Sequence, residues 1–270
     1  MKKIVMTAFA LLSLFIVRAQ QKEGKVTYQR VLQIQVSFPG MSEEMQRMVP
    51  KNRTDKFELN FANNQSVWRQ AEQDNDDETS LGGGDGGGGM QIRMTVAGSN
   101  DVLYDNFETM KKVEQRELFD KKFIIDDSIK PLKWKMTGET KTILNHNCMK
   151  ATTTQISQKS QMKMTDGKME RIEITDTSAI VAWFASDIPV PAGPAEYQGQ
   201  LPGLILEMDI SNGRQVFTAL QIDPKADVAS IKEPTGKKHY TSEEFKAERE
   251  KMMKEMQKNG GGPVMRFNRQ

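Results

Sequence analysis

Short segments in which apolar and polar residues alternate recur along this chain, and turn-forming residues separate them. The first runs from Val26 to Val36, where every even-numbered position except Arg30 is apolar. Alternation with a period of two predicts a half-buried β-strand, because successive side chains of a strand point to opposite faces of its sheet. The Pro39-Gly40 pair marks the point beyond which this strand cannot continue.

Further segments of this kind follow at turn-sized intervals. The Asn63-Asn64 pair predicts a tight turn between the first two of them. Gaps of this length, without regular helical crossovers, favour an antiparallel sheet over an α/β fold. The segments expected to form strands are 57–61, 66–69, 90–96, 102–104, those through Val113 and Phe119, 123–125 and 133–136.

Two other segments have helical spacing. Met41, Met45 and Met48 fall on one face of a short predicted helix. Near the end of the chain, 241–244 reads Thr-Ser-Glu-Glu, the pattern of a capping box. A narrow apolar stripe follows it at Phe245, Met252, Met253 and Met256. The expected fold class is therefore α+β and β-dominated: a curved, half-barrel-like antiparallel sheet with a short Met-rich helix and a C-terminal helix.

The N-terminus has the features of a secretory signal peptide. Lys2 and Lys3 precede the apolar run 4–17, and small residues lead up to a cleavage site near Ala19-Gln20. A membrane anchor is the alternative, but the run is shorter than the roughly 20 residues that span a bilayer. We therefore expect a periplasmic or secreted protein with no membrane span after cleavage of residues 1–19.

The remaining chain is expected to form one β-rich domain over 20–235, followed by a helix and flexible tail over 236–270. The acidic and glycine-rich segment 74–89 interrupts the strand pattern, and we interpret it as a disordered insertion in a hairpin. A calcium loop is the alternative for this segment. Thr79 and Asp85, however, stand where such a loop requires glycine and a bidentate glutamate.

Charge and cysteine content exclude some function classes. The net charge is only +2, which argues against nucleic acid as an electrostatic partner. The single cysteine, Cys148, excludes an internal disulfide framework. The sequence contains no cofactor fingerprint, and we assign no cofactor and no metal ligand.

The stretch from Tyr197 to Ile210 stands apart from the alternating strands. Pro202-Gly203 makes a tight turn directly before the apolar run 204–206, which predicts a strand buried on one or both faces. One interpretation is a structural corner that sets the register of the sheet. The other is the rim of a ligand cleft near Trp183 and Leu204, because loops with glycine, proline and aromatic residues often shape binding sites.

Several blocks from residue 134 onward resemble the GLPGLI family in their order along the chain. That resemblance implies an exported protein of Gram-negative bacteria whose biochemical function is unknown, and it supplies no catalytic residue. Two features depart from the family pattern. The motif that names the family, Gly-Leu-Pro-Gly-Leu-Ile, falls at 200–205 and is called the name motif here; Gln200 stands where its first glycine would be. The segment 155–180 is longer than usual. The motif residues, of unknown role, are Trp134, Cys148, Trp183, Pro189, Gly193, Pro194, Leu201, Pro202, Gly203, Leu204 and Ile205.

We expect a non-enzymatic module that binds an apolar ligand or an envelope protein partner on the concave face of the sheet. A periplasmic copper-binding protein is the alternative, because the chain has 18 methionines in clusters and thioethers suit Cu(I). A third hypothesis is a hydrolase with Cys148 as nucleophile. His146 would share a strand face with Cys148, but no known cysteine-hydrolase signature surrounds them.

Overall fold

A computed structural model describes residues 21–34, 51–71, 100–165 and 168–258, and the side chains of 159–171 and 256–258 are left out of the description. Within these residues one open, curved sheet contains twelve strands. Their bounds are β1 Gly24–Gln33, β2 Asn52–Ala62, β3 Gln65–Gln70, β4 Val102–Asn106, β5 Lys111–Leu118, β6 Lys121–Ser128, β7 Lys135–Ile143, β8 His146–Thr165, β9 Lys168–Ala185, β10 Leu204–Ile210, β11 Gln215–Asp223 and β12 His239–Thr241. A single helix, α1 Ser242–Lys258, follows in the described part of the chain.

The sheet consists of two meanders that meet at one seam. Within the group β1 to β6, each strand pairs with the next one along the chain, and the same holds within the group β7 to β11. Pairing of β1 with β11 joins the two meanders, so the strand order is β12-β6-β5-β4-β3-β2-β1-β11-β10-β9-β8-β7. The β-dominated, largely antiparallel fold expected from the alternation is thereby confirmed. The one parallel pair, β12 with β6, was not predicted.

Tight turns connect the strands of the first meander. Asn63 and Asn64 both have positive φ, 53° and 59°, as the predicted two-residue hairpin turn requires. The same conformation occurs at Phe119 and Asp120, between β5 and β6. The prediction of a strand through Phe119 is therefore wrong: this residue lies in a turn, and its side chain is 44% exposed.

The predictions for several segments lie outside the described residues. They are the signal peptide, the Met41–Met48 helix, the 74–89 insertion and the 90–96 strand. In the described part of the chain, no helix is long and apolar enough to cross a membrane.

The main hydrophobic core lies on one face of the sheet, called here the core face. Alternate residues of β1, β2 and β3 contribute to it, with Tyr28, Leu59 and Trp68 among them. The connection 186–203 between β9 and β10 covers this face and adds Ile188 and Tyr197 to the same cluster. The opposite face carries a small cluster of its own at Val67, Tyr104, Val113 and Ile124.

Helix α1 is attached to the sheet through its first turns. The capping box is confirmed, because Thr241 Oγ1 accepts a hydrogen bond from the Glu244 amide and Glu244 accepts one from the Thr241 amide. Phe245 and Met252 pack against Phe123 and Ile125 of β6. Met253, predicted as part of the apolar stripe, is instead 41% exposed.

Strands β8 and β9 extend beyond their neighbours as a hairpin arm. Pairing with β7 reaches only Thr152, and pairing with β10 reaches only Ile180. From Thr154–Ala179 outward, the two strands pair with each other alone among the described strands. The segment 155–180, which the sequence predicts to be longer than usual, forms most of this arm.

Candidate functional site

The stretch around the name motif is sealed within the core. Leu204, Ile205 and Leu206 at the start of β10 are each no more than 1% exposed, while Pro202 is exposed. Gly203 lies directly against β9: a Cβ atom there would be 2.2 Å from the carbonyl oxygen of Ala185. Only glycine permits this approach of the two backbones.

The 186–203 connection fits closely over β10. The Ile205 amide donates a hydrogen bond to the Ala192 carbonyl, and the Leu204 amide donates one to the Ile188 carbonyl, both 3.0 Å long. A Cβ atom on Gly193 would lie 2.8 Å from the Ile205 side chain, so this glycine also allows a close contact. Pro189 is half-buried and Pro194 is buried beside these contacts. The geometry therefore favours the structural interpretation of the motif.

Gln200, the residue that departs from the family pattern, links the name motif to the segment 130–134 before β7. Its side-chain oxygen accepts hydrogen bonds from the Leu132 amide at 2.8 Å and from Trp134 Nε1 at 3.4 Å. Its side-chain amide donates to the Lys130 carbonyl at 3.2 Å. A glycine could make none of these bonds. In this chain the three hydrogen bonds of the Gln200 side chain, called the clasp here, hold the segment 130–134 against the name motif.

The motif tryptophans are half-buried against neighbouring side chains. Trp134 packs against the main core. Lys141 Nζ and Lys150 Nζ lie 4.4 and 5.7 Å from the ring centre of Trp183. The lysines are themselves paired with Glu207 and Glu139, at 2.6 and 2.9 Å. Because Leu204 is buried and the Trp183 ring is flanked by these lysines, the described side chains argue against the predicted cleft at this place.

The environment of Cys148 does not suit a nucleophile. The thiol is buried, and burial raises its pKa to about 11, which disfavours the reactive thiolate. Its sulfur donates a weak hydrogen bond of 3.6 Å to the His146 carbonyl. The His146 ring pairs with Asp187 at 2.8 Å rather than with the thiol.

The copper hypothesis stays a prediction. Met149 packs against the main core, and Met208 is fully buried in it. The clusters at 41–48 and 90–94 lie outside the described residues, as do the side chains of Met162, Met164 and Met169. Where the structure does describe side chains, no three of the His, Cys, Asp and Glu groups come together as a ligand set.

An open cleft of about 470 Å³ lies elsewhere on the core face, between the sheet and the short 3-10 turn Ala195–Tyr197. It is called the main cleft here. Strands β1 to β5 supply most of its lining, and none of the motif residues contributes to it. Its lining residues are Arg30, Phe57, Trp68, Gln70, Asp101, Val102, Leu103, Lys112, Glu114, Gln115, Arg116, Ala195 and Glu196.

Aromatic stacking forms one wall of the main cleft. The rings of Phe57 and Trp68 are nearly parallel, with centres 4.9 Å apart. The guanidinium of Arg30 lies 4.7 Å from the Phe57 ring centre and donates to the buried Asp55 carboxylate at 2.7 Å. Arg53 Nε donates to the same carboxylate at 2.8 Å. These contacts fix the wall before any ligand is present.

The charged groups of the main cleft are balanced and mostly paired with each other. Glu114 forms ion pairs with Arg116 at 2.6 Å and with Lys112 at 3.2 Å. Asp101 accepts a hydrogen bond from the Glu117 amide at 3.0 Å, while burial raises the pKa of its carboxyl. The lining therefore combines an apolar wall with fixed polar groups, as ligand sites commonly do.

A buried polar cluster lies beside the main cleft. Asp105 is 1% exposed and stands opposite Ser66 on β3 and Lys112 on β5. Neither of its carboxylate oxygens has a hydrogen-bond partner among the described residues, and burial raises its pKa to about 7. Ser66 donates a hydrogen bond of 2.6 Å to the buried side-chain oxygen of Gln198.

The sequence indicated the strand positions of these residues but not that they would meet. Arg30, Phe57 and Trp68 occupy alternate positions that belong to one face of their strands. The cleft arises because β1 to β5 lie side by side and the 186–203 connection covers only part of their face. No motif in the sequence marks this arrangement.

Comparison with known proteins gives a match to a family profile over part of the chain, and no function. The profile of a family described as a protein of unknown function (Porph_ging) matches residues 134–207. This segment begins at Trp134 and includes Leu201–Ile205, and the match confirms the resemblance to the GLPGLI family. No curated protein matches the chain.

Among solved structures, two crystal forms of PNGF-II are similar in fold. The C2 form has a TM-score of 0.49 and 18% sequence identity, and the P21 form has 0.48 and 16%. Each comparison covers 84% of this chain and 32% of that chain, so this protein spans about a third of the solved chain's length. At these TM-scores the likeness says nothing about function.

Proposed function

We propose that this chain, whose residues 134–207 match the profile of a family of unknown function (Porph_ging), is a non-enzymatic binding module of the bacterial envelope. It takes up an apolar group, either of a small ligand or of a partner protein. The observation that carries the proposal is the main cleft, which is open on the core face beside the packed main core.

The dimensions and lining of the main cleft support this function. Its volume of about 470 Å³ falls within the range of about 300–1,000 Å³ that ligand sites usually have. Phe57 and Leu103 offer apolar surface, and Gln70 offers an amide group that can orient a bound molecule. All three belong to sheet strands, so the site is held in shape before binding.

We propose a binding function without catalysis because the candidate nucleophile, Cys148, is in an environment that disfavours its reactive thiolate. Cys148 is buried on β8, its pKa is raised, and the nearby imidazole is paired with a carboxylate. It lines no part of the main cleft. A ligand held in the main cleft would therefore not meet this thiol.

The proposed envelope location follows from the N-terminal pattern of Lys2-Lys3, an apolar run and a small residue before Gln20. Cell fractionation with N-terminal sequencing of the mature protein tests it. We expect a periplasmic or secreted chain that begins at Gln20. An intact Met1 in cytoplasmic protein would contradict this part of the proposal.

Binding in the main cleft can be tested with the uncharged fluorescent arene N-phenyl-1-naphthylamine. The variant Gln70→Trp places a large ring in the cleft beside Phe57, whereas Gln221→Trp makes the same change at an exposed position of β11. We expect Gln70→Trp to weaken binding of the dye at least about tenfold, because the space is filled. Gln221→Trp should bind like the wild type.

Equal dye affinity in all three proteins would overturn the proposed site. Far-UV circular dichroism and urea unfolding confirm that each variant is folded. Phe57→Ala provides a second variant, because it removes part of the aromatic wall without filling the cleft. It should weaken binding in the same direction if the ring contacts the dye.

A further inference from the structure

A smaller cleft adjoins the main cleft. It has a volume of about 230 Å³ and lies between the end of the sheet and helix α1. Glu114 and Arg116 of β5 line both clefts, so the two spaces are neighbours along the same strand. Ile125 and Phe245 form its apolar floor, while Lys246 and Arg249 of α1 form its far side.

The charge of the smaller cleft is predominantly positive. Arg116, Lys246 and Arg249 line it, and Glu114 is the one acidic residue in its lining. The Glu114 carboxylate is already shared between Arg116 and Lys112, at 2.6 and 3.2 Å. Within the described ranges of the chain, neither Lys246 nor Arg249 forms an ion pair with a carboxylate.

The positions of the three cationic side chains are restricted by packing. The Arg116 guanidinium lies 5.8 Å from the ring centre of Phe245, which is buried against β6. Lys246 and Arg249 are three residues apart on α1, so their side chains emerge on the same side of the helix. Arg249 is half-buried, which limits the water that competes for its donor groups.

We propose that the smaller cleft binds the anionic head group, a carboxylate or a phosphate, of a ligand whose apolar part occupies the main cleft. This inference rests on the proposed function and narrows the ligand to an amphipathic anion. Guanidinium groups bind such oxyanions through two parallel hydrogen bonds, and a lysine adds a further charged donor. The shared lining at Glu114 and Arg116 lets one molecule span both spaces.

Calorimetric titration with octyl phosphate, octanoate, octanol and inorganic phosphate tests the inference. The double variant Lys246→Gln with Arg249→Gln removes two cations from the smaller cleft. The matched control Lys251→Gln with Lys254→Gln removes two exposed lysines of the same helix that do not line it. Both substitutions lie on α1, and circular dichroism checks that the helix is retained.

We expect octyl phosphate or octanoate to bind at least about tenfold more tightly than octanol. In the Lys246/Arg249 variant this advantage should be lost while octanol affinity is unchanged, and the Lys251/Lys254 control should match the wild type. Added salt should weaken binding of the anions and leave octanol unaffected, because screening acts on the charged interaction.

The possible failures are distinguishable. Equal affinity for octanol and for both anions, or anion binding that is unchanged in the Lys246/Arg249 variant, overturns the inference and leaves the main cleft as the apolar site. Inorganic phosphate that binds as tightly as octyl phosphate overturns the use of both clefts by one molecule. Octanol binding that Gln70→Trp does not reduce overturns the proposed function itself.

Discussion

At the scale of single residues, Asp105 is the group whose burial has the clearest physical cost. Its carboxyl has a pKa raised to about 7, first because it is buried, with Lys112 opposing and Glu114 reinforcing the shift. Below pH about 4 the carboxyl is protonated in both the folded and the unfolded chain. Between pH about 4 and 7 the unfolded chain releases the proton while the folded chain keeps it, so folding stability falls as the pH rises.

We predict that Asp105→Asn flattens this pH dependence. A shift of this size corresponds to a loss of at most about 4 kcal/mol between pH 4 and pH 8, and the variant has no proton to release. Urea unfolding at several pH values measures the difference. The exposed turn residue Asp120, changed to Asn, is the control and should keep the wild-type profile. Identical profiles for wild type and Asp105→Asn would show that the buried carboxyl does not titrate in this range.

Gly203 carries a prediction of a different kind. Its Cβ position lies 2.2 Å from the Ala185 carbonyl oxygen, which belongs to the backbone and cannot rotate away. Gly203→Ala should therefore lower the free energy of unfolding by about 3 kcal/mol, because β9 and β10 must separate to admit a methyl group. Pro202→Ala, at the exposed neighbouring position, should change it by less than about 0.5 kcal/mol. Denaturant midpoints report both values, and a stable Gly203→Ala protein contradicts the packing argument.

At the scale of elements, the clasp made by Gln200 substitutes for a feature of the family motif. We predict that Gln200→Ala lowers the free energy of unfolding by about 2 kcal/mol, because the Leu132 amide and Trp134 Nε1 lose their acceptor. Thermal unfolding followed by tryptophan fluorescence measures this and also senses Trp134. Gln221→Ala, on the exposed side of β11, is the matched control. An unchanged Trp134 environment in Gln200→Ala would mean that 130–134 is held by other contacts.

The strands from β1 to β6, and β10, could be predicted from the sequence because alternation and apolar runs record which residues face the core. Strands β8, β9 and β11 were not among the predicted segments. Val26 and Tyr28 are buried as their pattern indicates, and Asn63-Asn64 turns where expected. The exception is Phe119: its apolar side chain predicts a strand position, whereas the register of β5 and β6 places it in their turn. Strand β12, only three residues long, is too short to show any period.

The candidate site could not be predicted because it depends on which strands become neighbours. Alternation assigns Arg30 and Phe57 to a face, but it gives neither the order of the strands nor the extent of the connection that covers them. Arg116 and Phe245 meet only because α1 returns to β6 after the second meander is complete. The unusual sequence of the motif at 201–205 suggests a binding site, yet its glycine, Gly203, and its apolar run serve close packing.

At the scale of the whole molecule, one core unites the two meanders. The main cluster combines Tyr28 and Trp68 from the first meander with Phe184 and Leu206 from the second. The Tyr28 hydroxyl reaches past the β1–β11 seam and donates a buried hydrogen bond of 2.5 Å to the Ile205 carbonyl. Neither meander therefore contains a complete core of its own.

We predict that Tyr28→Phe lowers the free energy of unfolding by about 1–2 kcal/mol, because the Ile205 carbonyl is left buried without this donor. The corresponding change at the half-buried Tyr240, near the edge of the sheet, is the comparison and should have a smaller effect. Equilibrium unfolding in urea gives both values. Equal losses would mean that the bond across the seam contributes no more than any other tyrosine hydroxyl.

The seam also governs how the chain reaches its structure. Residues of β1 meet partners in β11 that lie roughly 190 positions later. Among the strands that the structure describes, every other antiparallel pair joins two consecutively numbered strands. Hairpins within each meander can form as soon as their two strands exist, but the shared core is buried only when β1 and β11 pair. We therefore expect formation of the seam to be the slow step of folding. A newly made chain should then stay open to proteases and to pairing with other chains until β11 has been made.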